Sequence, residues 1–132
     1  RSPTVTGVQT CALPIYPACI RPSGDGSLPA LQLSLLVAAA SRVGRGGSLV
    51  YSTCSPLRQE DEDVVEAFLA SGAGQDFSLA PALESFGLAS ADEATREFAS
   101  CAAQEDGSLC FGQTPGGCDA HFCARLVREA MS

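Results

Sequence analysis

A cysteine stands between a short apolar run and an acidic segment in Gly46-Gly47-Ser48-Leu49-Val50-Tyr51-Ser52-Thr53-Cys54-Ser55-Pro56. The glycine pair reads as a turn, Leu49 to Tyr51 as a buried strand, and Cys54 falls where that strand must end. The next segment, Gln59 to Ala70, reads as a helix with Val64, Val65, Phe68 and Leu69 on its apolar face. A cysteine between a strand end and a helix start lies near unpaired backbone N–H groups and the positive end of the helix dipole. That setting lowers a thiol pKa and favours the thiolate, the nucleophilic form. Cys54 is therefore the candidate nucleophile, with Thr53 and Ser55 shaping its loop. The competing reading is a buried structural thiol, common for cysteines outside disulfides.

Two further groups of residues could do chemistry. Glu60, Asp61, Glu62 and Asp63 lie in the first turns of the second helix, where carboxylates favour the dipole. Stabilisation of the helix end accounts for them without a catalytic role. Cys110, Cys118, His121 and Cys123 offer the nitrogen and sulfur ligands that suit zinc. Their spacing is not the paired C-x-x-C knuckle, so no metal ligand is assigned.

The elements that must position Cys54 follow from patterning. Leu31, Leu35, Leu36, Ala39 and Val43 recur at helical spacing, and Gly44, Gly46 and Gly47 stop that helix. Three consecutive apolar residues in the Ser48 to Ser52 strand suggest burial on both faces, as in a parallel sheet covered by helices. Helix, strand and helix in that order form a piece of a doubly wound α/β fold. Residues 71–106 are weakly patterned, with Phe77 to Leu79 a short strand and Glu93 to Ala103 a short helix or loop. Ser108 to Phe111 and Ala120 to Val127 are joined by a loop short enough for an antiparallel hairpin.

Composition bounds the rest. With 132 residues, 45% of them apolar and 17% charged, the chain can bury one core. No apolar run is long enough to span a membrane. An odd count of seven cysteines without signal-peptide zones argues for reduced thiols and an intracellular location. A formal net charge of −7 makes the chain alone a poor binder of a phosphate backbone. Residues 1–27 are expected to be a non-native or disordered leader. Val5 to Ile15 looks like a translated sequencing adapter, and Cys11 within it takes no role.

Three stretches together resemble the NOP/Sun-type RNA (cytosine-5) methyltransferases: Leu28-Pro29-Ala30-Leu31-Gln32-Leu33-Ser34-Leu35-Leu36, then Gly46 through Ser55, then Glu60-Asp61-Glu62-Asp63-Val64-Val65. Tyr-Ser-Thr-Cys-Ser after a Gly-Gly turn is the specific part. Gly107-Ser108-Leu109 and His121 to Leu126 resemble the family's closing hairpin more loosely, and Asp61 stands where the family often has Asn. The resemblance covers residues 28–132 and is strongest over 28–69.

It implies an α/β fold: the C-terminal part of a Rossmann-like S-adenosylmethionine-dependent methyltransferase domain, closed by an antiparallel hairpin. It also implies a role for Cys54, attack on C6 of a cytosine in rRNA or tRNA, which lets C5 take a methyl group from S-adenosylmethionine. The target base must be turned out of its stack. The family's Gly-rich cofactor turn, its cofactor-binding acids and its upstream Pro-Cys-Ser motif would all precede Leu28. No cofactor-binding residue is therefore assigned, and the chain alone is expected to be inactive. RNA is the implied partner, with no membrane and no obligate protein partner. The Leu28 to Leu36 motif and the ending lean toward the branch resembling mitochondrial enzymes, which leaves a mitochondrial or cytoplasmic location. The alternative is a zinc-binding or protein-interaction domain without catalysis.

Overall fold

A computed structural model of the chain describes residues 28–112 and 120–130. The leader expected over 1–27, Cys11 and Cys118 lie outside them. The described elements are α1 (Leu28–Ala40), β1 (Ser48–Thr53), α2 (Glu62–Ala70), β2 (Phe77–Ala80), α3 (Glu93–Ala102), β3 (Leu109–Phe111) and β4 (His121–Arg128). Short 3-10 turns occupy Arg58–Glu60, Gly72–Gly74, Ala82–Phe86 and Leu88–Ser90.

The sheet is organised around β4. One flank of β4 carries β1 along its whole length, from Ser48 opposite Val127 to Thr53 opposite Phe122. The other flank is shared end to end: β3 lies against His121–Cys123 and β2 against Arg125–Arg128. All three pairings are antiparallel. The β3–β4 pair is the closing hairpin that the sequence predicts.

Side chains alternate across the pleat, so Leu49, Tyr51 and Thr53 share one face with Leu126, Ala124 and Phe122. Helices α1 and α2 cover that face. Leu36, Ala39 and Ala40 from α1, Val43 just after it, and Val64, Val65 and Phe68 from α2 join the main core. Phe68 is fully buried and meets Phe77 edge-on at 5.4 Å between ring centroids. The other face carries a smaller cluster of Ala82, Ala102, Leu109 and Cys123.

Three expectations are corrected. β1 is not buried on both faces: Val50 is 38% exposed, because α1 and α2 cover only the side that Leu49 and Tyr51 occupy. The buried stripe of α1 is only partly the one read from spacing: Leu36, Ala39 and Val43 are buried as expected. Leu31 and Leu35 are 55% and 40% exposed, while Gln32 is buried beside Leu36, Ala39 and Ala40. This helix is apolar almost all round, so periodicity alone could not choose its inner side. Finally, α2 begins at Glu62 and not at Gln59, because Arg58–Glu60 forms a separate 3-10 turn.

Candidate active site

β1 leaves the sheet after Thr53, which sits opposite Phe122 near the start of β4. Three residues on, Pro56 has no N–H to donate to a ladder and so cannot extend the strand. Cys54 occupies this exit as a half-buried thiol. Its neighbours organise the loop. The Ser55 amide donates to Thr53 Oγ1 at 3.3 Å, and the Leu57 amide donates to Ser55 Oγ at 3.1 Å. Two of the backbone N–H groups expected to stand unpaired near the thiol are thus taken by hydroxyls in tight side-chain turns.

Both hydroxyls then donate to buried carboxyl groups. Thr53 Oγ1 bonds Asp61 Oδ1, and Ser55 Oγ bonds Glu60 Oε2 at 2.9 Å. The other Glu60 oxygen accepts from Gln32 Nε2 of α1 at 3.2 Å, and the Glu60 carbonyl accepts from the Tyr51 hydroxyl at 2.5 Å. Gln32, Thr53, Ser55, Glu60 and Asp61 are all buried. The helix-end account of the acidic run therefore holds for Glu62 and Asp63, in the first turn of α2. It does not hold for Glu60 and Asp61. Asp61 occupies the N-cap position of α2, but its side chain makes no capping bond and turns to Thr53 instead.

The electrostatics follow from burial. Desolvation pushes the Asp61 carboxyl up to about 7; the Thr53 hydroxyl opposes this, and the charges of Glu62 and Glu60 add to it. Burial, with Asp61 and Glu60 nearby, also raises the Tyr51 phenol above its ordinary range. Gln32, Tyr51, Glu60 and Asp61 are the residues that sequence reasoning did not place at the site. One signal was available: Gln32 is a lone amide within an otherwise apolar helical stripe.

Of the residues weighed for zinc, the three described ones, Cys110, His121 and Cys123, do not converge. Cys110 pairs with Phe122, whereas His121 and Cys123 are its neighbours on β4 and point to the opposite face of the sheet. Cys123 is buried in the smaller cluster, and burial pushes its thiol up to about 11. Among the described residues no three His, Cys, Asp or Glu side chains group as metal ligands.

A cavity of about 510 Å³ is lined by Val37, Ala40, Arg45, Asp76, Phe77 and Arg128 among others. Its charges are already paired: Arg45 and Arg128 both contact Asp76, at 3.2 and 2.8 Å, and Arg128 also donates to the Val43 carbonyl at 2.6 Å. It lies at the Ser48 end of β1, a six-residue strand (about 20 Å) away from Cys54. This cavity therefore does not fit S-adenosylmethionine within reach of that thiol. Nor is any described helix long and apolar enough to cross a membrane.

Comparison with known proteins agrees with this arrangement. The profile of the 16S rRNA methyltransferase RsmB/F family matches residues 22–111. Ribosomal RNA small subunit methyltransferase B of Thermus thermophilus is 47% identical over 51 residues, covering 39% of this chain and 13% of that protein. The mitochondrial tRNA (cytosine(34)-C(5))-methyltransferase of Danio rerio is 51% identical over 47 residues, covering 36% of this chain and 13% of that protein. The aligned stretch is thus about an eighth of the length of each relative. A crystal structure of PH0851 superposes with a TM-score of 0.55 at 26% identity, covering 80% of this chain and 20% of that one. A methyltransferase homolog protein from Pyrococcus horikoshii shares the fold, with a TM-score of 0.51 at 21% identity over 76% of this chain and 30% of its own. The helices on one face of the sheet and its closing antiparallel hairpin are part of a Rossmann-like methyltransferase domain, and the chain belongs to the RsmB/F family of RNA methyltransferases.

Proposed function

We propose that residues 28–132 are the C-terminal part of the catalytic domain of an RNA (cytosine-5) methyltransferase and carry its nucleophile, Cys54. The observation that supports this best is the placing of Cys54: a half-buried thiol at the exit of a sheet strand, with the residues on either side pinned by buried partners. A nucleophile held on rigid elements loses little freedom on reaching a reactive geometry.

The chemistry is covalent. The Cys54 sulfur adds to C6 of a cytosine turned out of its stack, and the ring electrons shift toward C5. S-adenosylmethionine, the family's donor, supplies the methyl group that C5 takes. Loss of the C5 proton and cleavage of the S–C6 bond then restore the thiolate and release 5-methylcytosine. Thr53 and Ser55 hold the loop. The substrate is rRNA or tRNA, the two classes named for the relatives. The location read from the resemblance is mitochondrial or cytoplasmic. Because that cavity does not bring a methyl donor within reach of Cys54, the chain by itself is expected to transfer no methyl group.

Trapping tests this reading. RNA bearing 5-fluorocytosine cannot lose a proton from C5, so the adduct should persist. In a full-length family enzyme carrying these residues, the RNA is expected to become covalently attached at Cys54, and Cys54→Ala to abolish both attachment and methyl transfer while RNA binding is retained. Near-normal turnover by Cys54→Ala would remove this thiol from the mechanism.

A further inference from the structure

We propose that Glu60 and Asp61 are positioning residues for the Cys54 thiol. Asp61 holds Thr53 on one side of the cysteine, and Glu60 holds Ser55 on the other. The proposal rests on the reading of Cys54 as the nucleophile, and it concerns how the sulfur is held and not what it attacks.

The geometry is a brace with two arms. The Thr53 hydroxyl bonds Asp61 Oδ1, and the Ser55 hydroxyl bonds Glu60 Oε2 at 2.9 Å. Cys54 is the single residue between the two pinned positions, so its backbone cannot shift without breaking one arm. The arms are anchored in turn. Gln32 of α1 donates to Glu60 Oε1 at 3.2 Å, and the Tyr51 hydroxyl of β1 donates to the Glu60 carbonyl at 2.5 Å. Asp61 sits at the start of α2, whose Val64, Val65 and Phe68 lie in the main core. Each arm therefore runs from the loop into a packed element: α1 and β1 through Glu60, α2 through Asp61.

This arrangement is costly for stability. Two carboxyl groups and an amide are buried together, and Gln32 Oε1 finds no hydrogen-bond partner among the described residues. Buried polar groups that are incompletely satisfied destabilise a fold, and apolar side chains of similar volume would serve packing better. What the carboxyl groups provide that apolar ones cannot is directional bonding on both sides of one residue.

Alkylation of this chain by iodoacetamide at pH 8, followed peptide by peptide by mass spectrometry, tests the brace. Cys101 is exposed and supplies the reference rate, and buried Cys123 reports loss of the fold. Glu60→Ala and Asp61→Ala are each expected to raise the Cys54 rate, relative to Cys101, at least fivefold while Cys123 stays protected. Glu60→Gln and Asp61→Asn keep an acceptor oxygen and are expected to stay within twofold of wild type. Alanine variants that leave Cys54 within twofold of wild type would overturn the proposal. So would a fivefold rise in the Gln and Asn variants, because the hydrogen bonds would then not be what holds the loop.

If Cys123 becomes reactive in an alanine variant, Ser55→Ala decides the matter, since it removes one arm and leaves both carboxyl groups in place. A fivefold rise then supports the brace and a rate within twofold of wild type refutes it. No RNA or methyl donor enters the measurement, so its outcome is independent of the trapping experiment.

Discussion

Gln32 Nε2 stands 3.2 Å from Glu60 Oε1, joining α1 to the loop that presents Cys54 across 28 residues of sequence. A bond from a neutral amide to a buried carboxylate is worth about 1.5–3 kcal/mol. Gln32→Leu is therefore expected to destabilise the chain by about 1–3 kcal/mol in urea unfolding followed by circular dichroism. A neutral or stabilising result would show that relieving the partnerless Gln32 Oε1 outweighs the lost bond.

Asp61 links stability to pH. Its carboxyl titrates near 7 in the fold against an ordinary value of 3.8, so the folded chain holds this proton more tightly than the unfolded one. The favourable contribution of the protonated group is fully present below about 4 and is lost as pH rises toward 7. Asp61→Asn keeps an acceptor for Thr53 but cannot ionise. Relative to wild type, its Tm should be higher at pH 7.5 than at pH 4.5. A Tm difference that is flat between the two would show that Asp61 does not titrate in this window.

Phe68 is 0% exposed and bridges α2 to Phe77 on β2. Phe68→Ala should cost about 3–5 kcal/mol, the usual range for removing a buried aromatic ring. Urea denaturation measures it directly. A loss below about 1 kcal/mol would mean that the α2 face contributes less to the core than its burial indicates.

Gly74 sits where a side chain has no room: a Cβ there would fall 2.1 Å from the Phe68 carbonyl oxygen. That oxygen also accepts from the Ser71 amide and hydroxyl at the end of α2, so it cannot move away cheaply. Gly74→Ala should destabilise by at least about 1–3 kcal/mol, as overpacking does. A thermal melt unchanged from wild type would contradict this close approach.

Cys123 is buried, with its thiol pushed up to about 11, so in the native chain at pH 8 it should resist alkylation. It should react readily once urea unfolds the chain. Rapid native labelling of Cys123 would place β4 at an accessible edge.

Much of this protein was legible in its residues. The strand before Cys54, the helix that follows and the closing hairpin carry local signals: apolar runs, turn residues and period-two alternation. Residues 71–106 are weakly patterned, and there the structure, not the sequence, chose helix over loop for Glu93–Ala102. Tyr51-Ser52-Thr53-Cys54-Ser55 after Gly46-Gly47, with the flanking stretches in the right order, pointed to the family. Tertiary structure decided what local pattern could not encode. An all-round apolar α1 has no preferred inner side until β1 and α2 dock against it, and they bury Gln32 in place of Leu31 and Leu35. Glu60 and Asp61 read as ordinary helix-end acids because nothing local distinguishes them from Glu62 and Asp63. Their partners Gln32, Tyr51, Thr53 and Ser55 belong to α1, β1 and the Cys54 loop, and only packing brings those elements around the same two carboxyl groups.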